Sequence, residues 1–115
     1  MIHSYSAKRR EERERERETK GMIESFFILT SSGEVLIEKH WRGVTSRSVC
    51  DAFWEEVTKH ESREETNPII HHGQHYLLSI LRGSIFFLAT TSVETAPLGS
   101  LEFLHRVYGI FEECV

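Results

Sequence analysis

Three histidines stand within five positions in "PIIHHGQHYLLSILRG", residues 68–83, and an apolar run follows them directly. His71 and His75 are four apart, the spacing that on a helix lets two imidazoles share one zinc ion. The neighbours argue against a helix: Gly73 interrupts it, and the residues after His75 are strand formers. In an extended strand, positions four apart are separated by about 13 Å, too far to share an ion. A turn at Gly73 would bring His71 and His75 together, but no nearby cysteine or paired carboxylate supplies the remaining ligands. The expectation is a strand, a turn and a strand at a sheet edge, carrying solvated histidines, with no metal and no cofactor.

Other reactive side chains are no better placed for catalysis. There is no G-x-S-x-G, Walker loop, H-E-x-x-H or dinucleotide glycine pattern. Glu34 and Glu38 sit on a hairpin, where exposed strand charges are ordinary. His40 beside Trp41 is a candidate binding spot, although a strand end carrying an aromatic that closes the core is the favoured reading, and Phe53 and Trp54 read as core. Cys50 and Cys114 both fall in apolar helical patterns, so buried thiols are expected in place of a disulfide. A metal-dependent enzyme built on His71, His72 and His75 is the rival that elemental analysis for zinc would remove.

The chain of 115 residues has room for one core. Its 39% hydrophobic and 28% charged residues are ordinary for a globular domain, and no apolar run approaches the roughly 20 residues of a membrane span. "MIHSYSAKRREERE" lacks the apolar stretch of a secretory signal, and its glutamates argue against a mitochondrial presequence, which implies a cytosolic protein. Charge is unevenly placed: residues 1–21 carry net +2 and the remainder net −6, a poor balance for binding nucleic acid. In "KRREERERERETKG" residues four apart mostly repeat their sign, which opposes a helix, while pairs three apart are often opposite. Residues 1–21 are therefore expected to be a charged, low-complexity and disordered extension, a solvated tail or a frayed helix, with a functional basic arm as the less favoured alternative. "MIHS" recurs nearly as "MIES" at Met22, so the domain is placed at 22–115.

Within it the elements are legible. "ESFFILT" (24–30) and "EVLIEKHW" (34–41), separated by "SSG", form an antiparallel hairpin with Gly33 free to take positive φ. "TSRSVCDAFWEEVTKH" changes period, placing Val49, Cys50, Phe53, Trp54 and Val57 on one helical face, with Thr45 or Ser46 as N-cap. "ESREETNP" (61–68) is a polar loop and a short strand lies near Ile69 and Ile70. "HYLLSILRG" and "SIFFLATTS" make a second hairpin whose consecutive apolar residues require cover on both faces. The class is α+β, a five-stranded antiparallel sheet with helices on both faces. The last helix carries two stripes, Leu101, Leu104, Tyr108 and Phe111 on one, and Phe103, Val107, Ile110 and Cys114 on the other. One stripe covers the sheet; the other, with Phe103, Val107 and Ile110, is expected to meet a partner.

"MIESFFILTSSGEVLIEKHWRGVTSRSVCDAF" (22–53), "HYLLSILRGSIFFLATT" (75–91) and "LEFLHRV" (101–107) resemble the start of the mu, or medium, subunit of clathrin-type adaptor complexes. "EKHW", "SVCD" and "EFLHRV" are most similar to the third adaptor complex. The resemblance implies a longin fold whose last helix is missing here. It implies a non-enzymatic role in intracellular transport from Golgi and endosomes toward lysosome-related organelles. The implied partners are the beta-type large subunit and the other adaptor subunits, with peripheral membrane association through the complex. The cargo-signal-binding domain of that family has no counterpart in these residues. A longin-type regulator of membrane fusion is the alternative, and it predicts a following heptad helix that the chain lacks.

Overall fold

The computed structural model describes residues 2–113. In chain order these are α1 (Ile2–Met22), β1 (Ile23–Thr30), β2 (Val35–His40), α2 (Ser48–Thr58), β3 (Ile69–His72), β4 (His75–Arg82), β5 (Ile85–Ser92) and α3 (Leu101–Glu113), with a single 3₁₀ turn at Arg63–Glu65. Residues 23–96 form one compact unit, and α1 with α3 forms another.

The first unit is a five-stranded antiparallel sheet in the order β2-β1-β5-β4-β3. The α+β class and the longin-like sheet expected from the sequence are what the chain adopts. Alternation decides which residues meet α2. Phe27 and Leu29 of β1, Leu77 of β4, and Phe86 and Leu88 of β5 face Val49, Cys50, Phe53 and Val57 of α2, and all are buried. The rings of Phe53 and Phe86 meet edge to face, with centroids 5.2 Å apart. The other sheet face is apolar as well, carrying Phe26, Leu78, Phe87 and Ala89. This is why β4 and β5 are apolar at consecutive positions.

The β1–β2 turn is closed by the Gly33 N–H donating to the Thr30 carbonyl at 3.0 Å, and it meets α2 at Gly33. Gly33 has φ +90°, and a Cβ built on it would lie 2.6 Å from the indole of Trp54. A side chain there would meet both the left-handed backbone and the ring. Arg63 covers the opposite part of the arrangement, its guanidinium 4.9 Å from the Trp54 ring and its Nε donating to the Ser31 carbonyl at 3.1 Å.

Two local readings are corrected. α2 begins at Ser48, so neither Thr45 nor Ser46 is the formal cap, although the Ser46 hydroxyl accepts from the Ser48 N–H at 3.2 Å. Thr45 is drawn instead into a buried polar cluster described below. The polar loop at 61–68 contains the 3₁₀ turn, started by the Ser62 side chain, which accepts from the Glu64 N–H.

In the second unit, residues 2–22 are a continuous helix where the sequence favoured a disordered extension. Arg, Glu, Lys and Ala all favour helix, and pairs three apart, such as Glu12 with Arg15 or Glu14 with Arg17, offset the like pairs four apart. α1 runs alongside α3, with Arg15 3.6 Å from Glu102 and Lys20 3.4 Å from Glu113. Both pairs are about half exposed, so they orient the helices more than they stabilise them.

Candidate functional site

The expected partner stripe on α3 is not open. Phe103 is 4% exposed, Val107 0% and Ile110 6%, and Phe111 joins them, whereas Leu101 is 84% exposed. At 100° per residue these four buried residues occupy one arc of about 100°, and Phe111 is its boundary member. Two stripes read from hydrophobicity alone do not rank themselves. Here Leu101, in the first turn, and Tyr108, with its hydroxyl, take the less buried side. Cys114 lies outside the described residues.

Open apolar surface lies elsewhere, around edge strand β2. Leu36, Ile37, Trp41 and Val44 are 52%, 53%, 47% and 86% exposed. Ile28 pairs with Ile37 and Leu29 with Val35, so the register passes over Leu36. Ile37 and Trp41 stand on the sheet face away from α2, where Trp41 packs near Phe26 and carries the Lys39 ammonium 5.5 Å above its ring. An exposed edge strand bearing apolar side chains is an unusual feature that proteins normally guard against. Lys39 provides part of that guard.

At the end of β2 a polar network ties this strand to the start of α2. Glu38 accepts from His40 Nε2 at 2.7 Å through one carboxylate oxygen and from Arg47 Nε at 2.7 Å through the other. His40 Nδ1 accepts from the Thr45 backbone N–H at 3.1 Å and lies 2.9 Å from the Ser25 hydroxyl. Ser25 in turn donates to the Thr45 hydroxyl. Because a backbone N–H points at Nδ1, that nitrogen must carry the lone pair and Nε2 the proton, so the geometry selects one neutral tautomer. The hydrogen bond from His40, and after it the one from Arg47, hold the Glu38 carboxyl below its usual range.

Serine, histidine and glutamate in one chain of hydrogen bonds invite comparison with a hydrolytic triad. The chemistry is wrong for it. Ser25 is fully buried, its proton is committed to Thr45, and the imidazole nitrogen nearest its oxygen is already accepting from Thr45. Such a nitrogen cannot take the serine proton, and no substrate carbonyl can reach the hydroxyl. The network holds structure. Cys50, one turn into α2, is likewise unsuited to attack, since burial pushes its thiol up to about 12. Cys50 is thus the buried, inert thiol that the sequence implied.

The three histidines separate. His72 pairs with His75 across the β3–β4 turn, so these two share a face, while His71 pairs with Tyr76 and points to the other. His71 and His75 therefore cannot converge on one ion. The strand, turn and strand appear as expected, but His75 is not simply solvated: its Nδ1 lies 2.9 Å from Glu24 Oε1. His71 bonds the Gly73 carbonyl through Nε2 at 2.9 Å. Among the described residues no group of three or more His, Cys, Asp or Glu side chains is arranged to hold a metal. A cleft of about 610 Å³ lies between the 3₁₀ turn and the β4–β5 hairpin, lined by Arg63, Thr66, Ser79, Leu81, Arg82 and Phe86. Glu64 lines it too, and its carboxylate accepts from the Ser62 hydroxyl.

Sequence reasoning missed Ser25, Thr45 and Arg47 as members of the network. Ser25 offered a signal, a small hydroxyl at an inward position of an apolar strand, which needs a buried partner.

No family model matches the chain. Over 92 residues, 80% of its length, it is 47% identical to the AP-3 complex subunit mu-2 of Homo sapiens and to that of Mus musculus. Over the same extent it is 44% identical to the AP-3 complex subunit mu-1 of Bos taurus. The chain is homologous to the AP-3 mu subunits. It spans about a fifth of the length of these relatives, 22% of each. The homology agrees with the resemblance carried by "EKHW", "SVCD" and "LEFLHRV", and it does not favour the fusion-regulator alternative. Two of those three words also acquire a physical meaning, because Glu38 and His40 of "EKHW" are the centre of the network that anchors the helix beginning at "SVCD". No helix among the described residues is long and apolar enough to cross a membrane.

Proposed function

We propose that the chain acts without enzymatic activity as a mu-type subunit of a vesicle-coat adaptor of the AP-3 class. In this reading it serves intracellular protein transport from Golgi and endosomal membranes toward lysosome-related organelles, and it works by assembling with a beta-type large subunit and the other adaptor subunits. The observation that carries the proposal is the 47% identity over 92 residues to proteins named as AP-3 mu subunits. The chemistry supports it: the serine–histidine–glutamate chain at the end of β2 is closed to substrate, and the buried cysteine stays protonated.

A surface for the large subunit follows from exposure. Ile37, Trp41 and Val44 are open to a partner without rearrangement, and an exposed Trp with aliphatic neighbours is the composition of an interface centre. Phe103, Val107 and Ile110 belong to the same proposal on α3, where contact requires that they first be uncovered.

Co-expression of the chain with the AP-3 beta-type trunk, followed by affinity capture and size-exclusion chromatography, tests the assembly, with the AP-2 trunk as control. Selective co-elution with the AP-3 trunk is the expected result. Trp41→Ala is expected to weaken it by at least tenfold, the loss of a central aromatic contact of about 2 kcal/mol. Soluble, folded chain that ignores the trunk would overturn the assembly reading. Unchanged capture of the Trp41 variant would move the contact away from β2.

A further inference from the structure

Helix α1 sorts its charges by sign around its axis. The alternation of Arg and Glu has period two, and set on a helix of 3.6 residues per turn it places like charges four apart on one side. At 100° per residue Arg10, Arg13 and Arg17, with Arg9 and Lys20 together at one margin, fall in one arc of about 100°, and no glutamate enters it. Glu12 and Glu16 lie beyond one border, and Glu11, Glu14 and Glu18 beyond the other. Arg9, Arg10, Arg13 and Arg17 are all exposed.

Most of this stripe lies off the side that meets α3, which only its Lys20 margin reaches. The residues of α1 that meet α3 are Arg15 and Lys20, through Glu102 and Glu113, and Glu16, which lines a small cleft with His105 and Ile110. Lys20 is thus partly committed, and Arg10, Arg13 and Arg17 form the open centre of the stripe. Like charges three and four apart repel along a helix. An anionic surface laid along them would relieve that repulsion and favour the helix.

We propose that this arginine stripe is a docking surface for an anionic membrane, with α1 lying flat on an acidic leaflet. The three central guanidiniums span about 10 Å along a straight rod. The clefts described above do not include them, so no concave site is there to read the shape of a single ligand. A planar field of repeated phosphates and carboxylates matches such a row, and arginine pairs well with either group. Between Arg9 and Lys20 the stripe carries no apolar side chain, so attachment there is electrostatic adsorption without insertion and is sensitive to salt. The net −6 on residues 22–115 opposes unspecific adsorption, which leaves binding dependent on α1. The choice of a membrane over an acidic protein rests on the adaptor reading.

The test is co-sedimentation of the whole chain with vesicles of phosphatidylcholine alone and of phosphatidylcholine with phosphatidylserine. Binding is expected only with the acidic lipid and is expected to disappear at high salt. The triple change Arg10→Gln, Arg13→Gln, Arg17→Gln is expected to lower the partition on the order of 100-fold, whereas Arg15→Gln, on the side facing α3, changes it only a few-fold. The triple Arg→Lys variant keeps the charge and should keep the binding, which separates loss of charge from loss of helix. Equal binding to both vesicles, or unchanged binding by the Gln variant, overturns the proposal. So does binding to polyglutamate with none to vesicles, which would assign the stripe to an acidic protein. Capture by the AP-3 trunk is measured on the same triple variant, so failure here leaves the assembly reading standing.

Discussion

Helix α2 is held to the sheet in two ways at its two ends, and the contrast shows what each kind of contact is good for. Along its body Val49, Cys50, Phe53 and Val57 lie on Phe27, Leu29, Leu77, Phe86 and Leu88, a contact of apolar groups only. Before its first turn Glu38, His40, Thr45, Ser25 and Arg47 bond one another in a polar chain. The apolar contact is non-directional and grows with the area removed from water, so it supplies most of the stability but tolerates sliding. The polar chain is directional, so it fixes where β2 ends and where the helix starts. Stability and register are thus assigned to different residues a few ångströms apart.

The largest effect should come from breaking the apolar end. Phe53→Ala removes a fully buried ring that packs edge to face on Phe86, and the expected cost is about 3–5 kcal/mol. Urea unfolding followed by circular dichroism would register it as a lower midpoint with little change in slope. A loss below about 1 kcal/mol would mean that the site collapses to fill the cavity and that the core is less well packed than its burial implies.

A smaller effect should follow at the join between the hairpin turn and the helix. Gly33→Ala places a methyl group against the Trp54 indole and asks alanine to hold φ +90°, for an expected loss of about 1–3 kcal/mol. Trp54→Ala in the same chain should recover the steric part and leave the backbone part. A double-mutant cycle measures the division: coupling near zero would show that backbone conformation alone requires the glycine.

These two sites also show what the sequence made legible. The apolar periodicity of "SVCDAFWEEV" named the residues that α2 buries, and "SSG" named the turn, because both are local patterns with a period or a backbone requirement. The Gly33–Trp54 contact was not readable, since it joins residues 21 apart whose types do not announce each other. The polar chain was hidden for the same reason. "EKHW" and "SVCD" stood out as words, but Ser25, His40 and Thr45 meet only after β1, β2 and the loop are folded. On α3 the two stripes were visible, but which one is buried depends on tertiary packing that hydrophobicity does not rank. For α1 the like-charged pairs four apart were seen and weighed against helix, while propensity and the opposite pairs three apart prevailed.

The smallest expected effect belongs to the polar end, and it is readable as a dependence on pH. The hydrogen bond from His40, then Arg47, holds the Glu38 carboxyl below its ordinary 4.5. A carboxyl lowered in the folded state contributes fully above its unfolded value and loses that contribution as pH falls through the folded one. Denaturation midpoints measured from pH 7 down to pH 3 should therefore fall less steeply in Glu38→Gln than in the native chain, with the curves converging in acid and the variant lower at neutral pH. The converse result, parallel curves, would show that Glu38 is satisfied equally well by water when unfolded. The register of β2 on α2 would then rest on the Thr45 N–H to His40 bond alone. His40→Phe, which keeps a ring against Phe27 but cannot accept from Thr45, separates that bond from the packing.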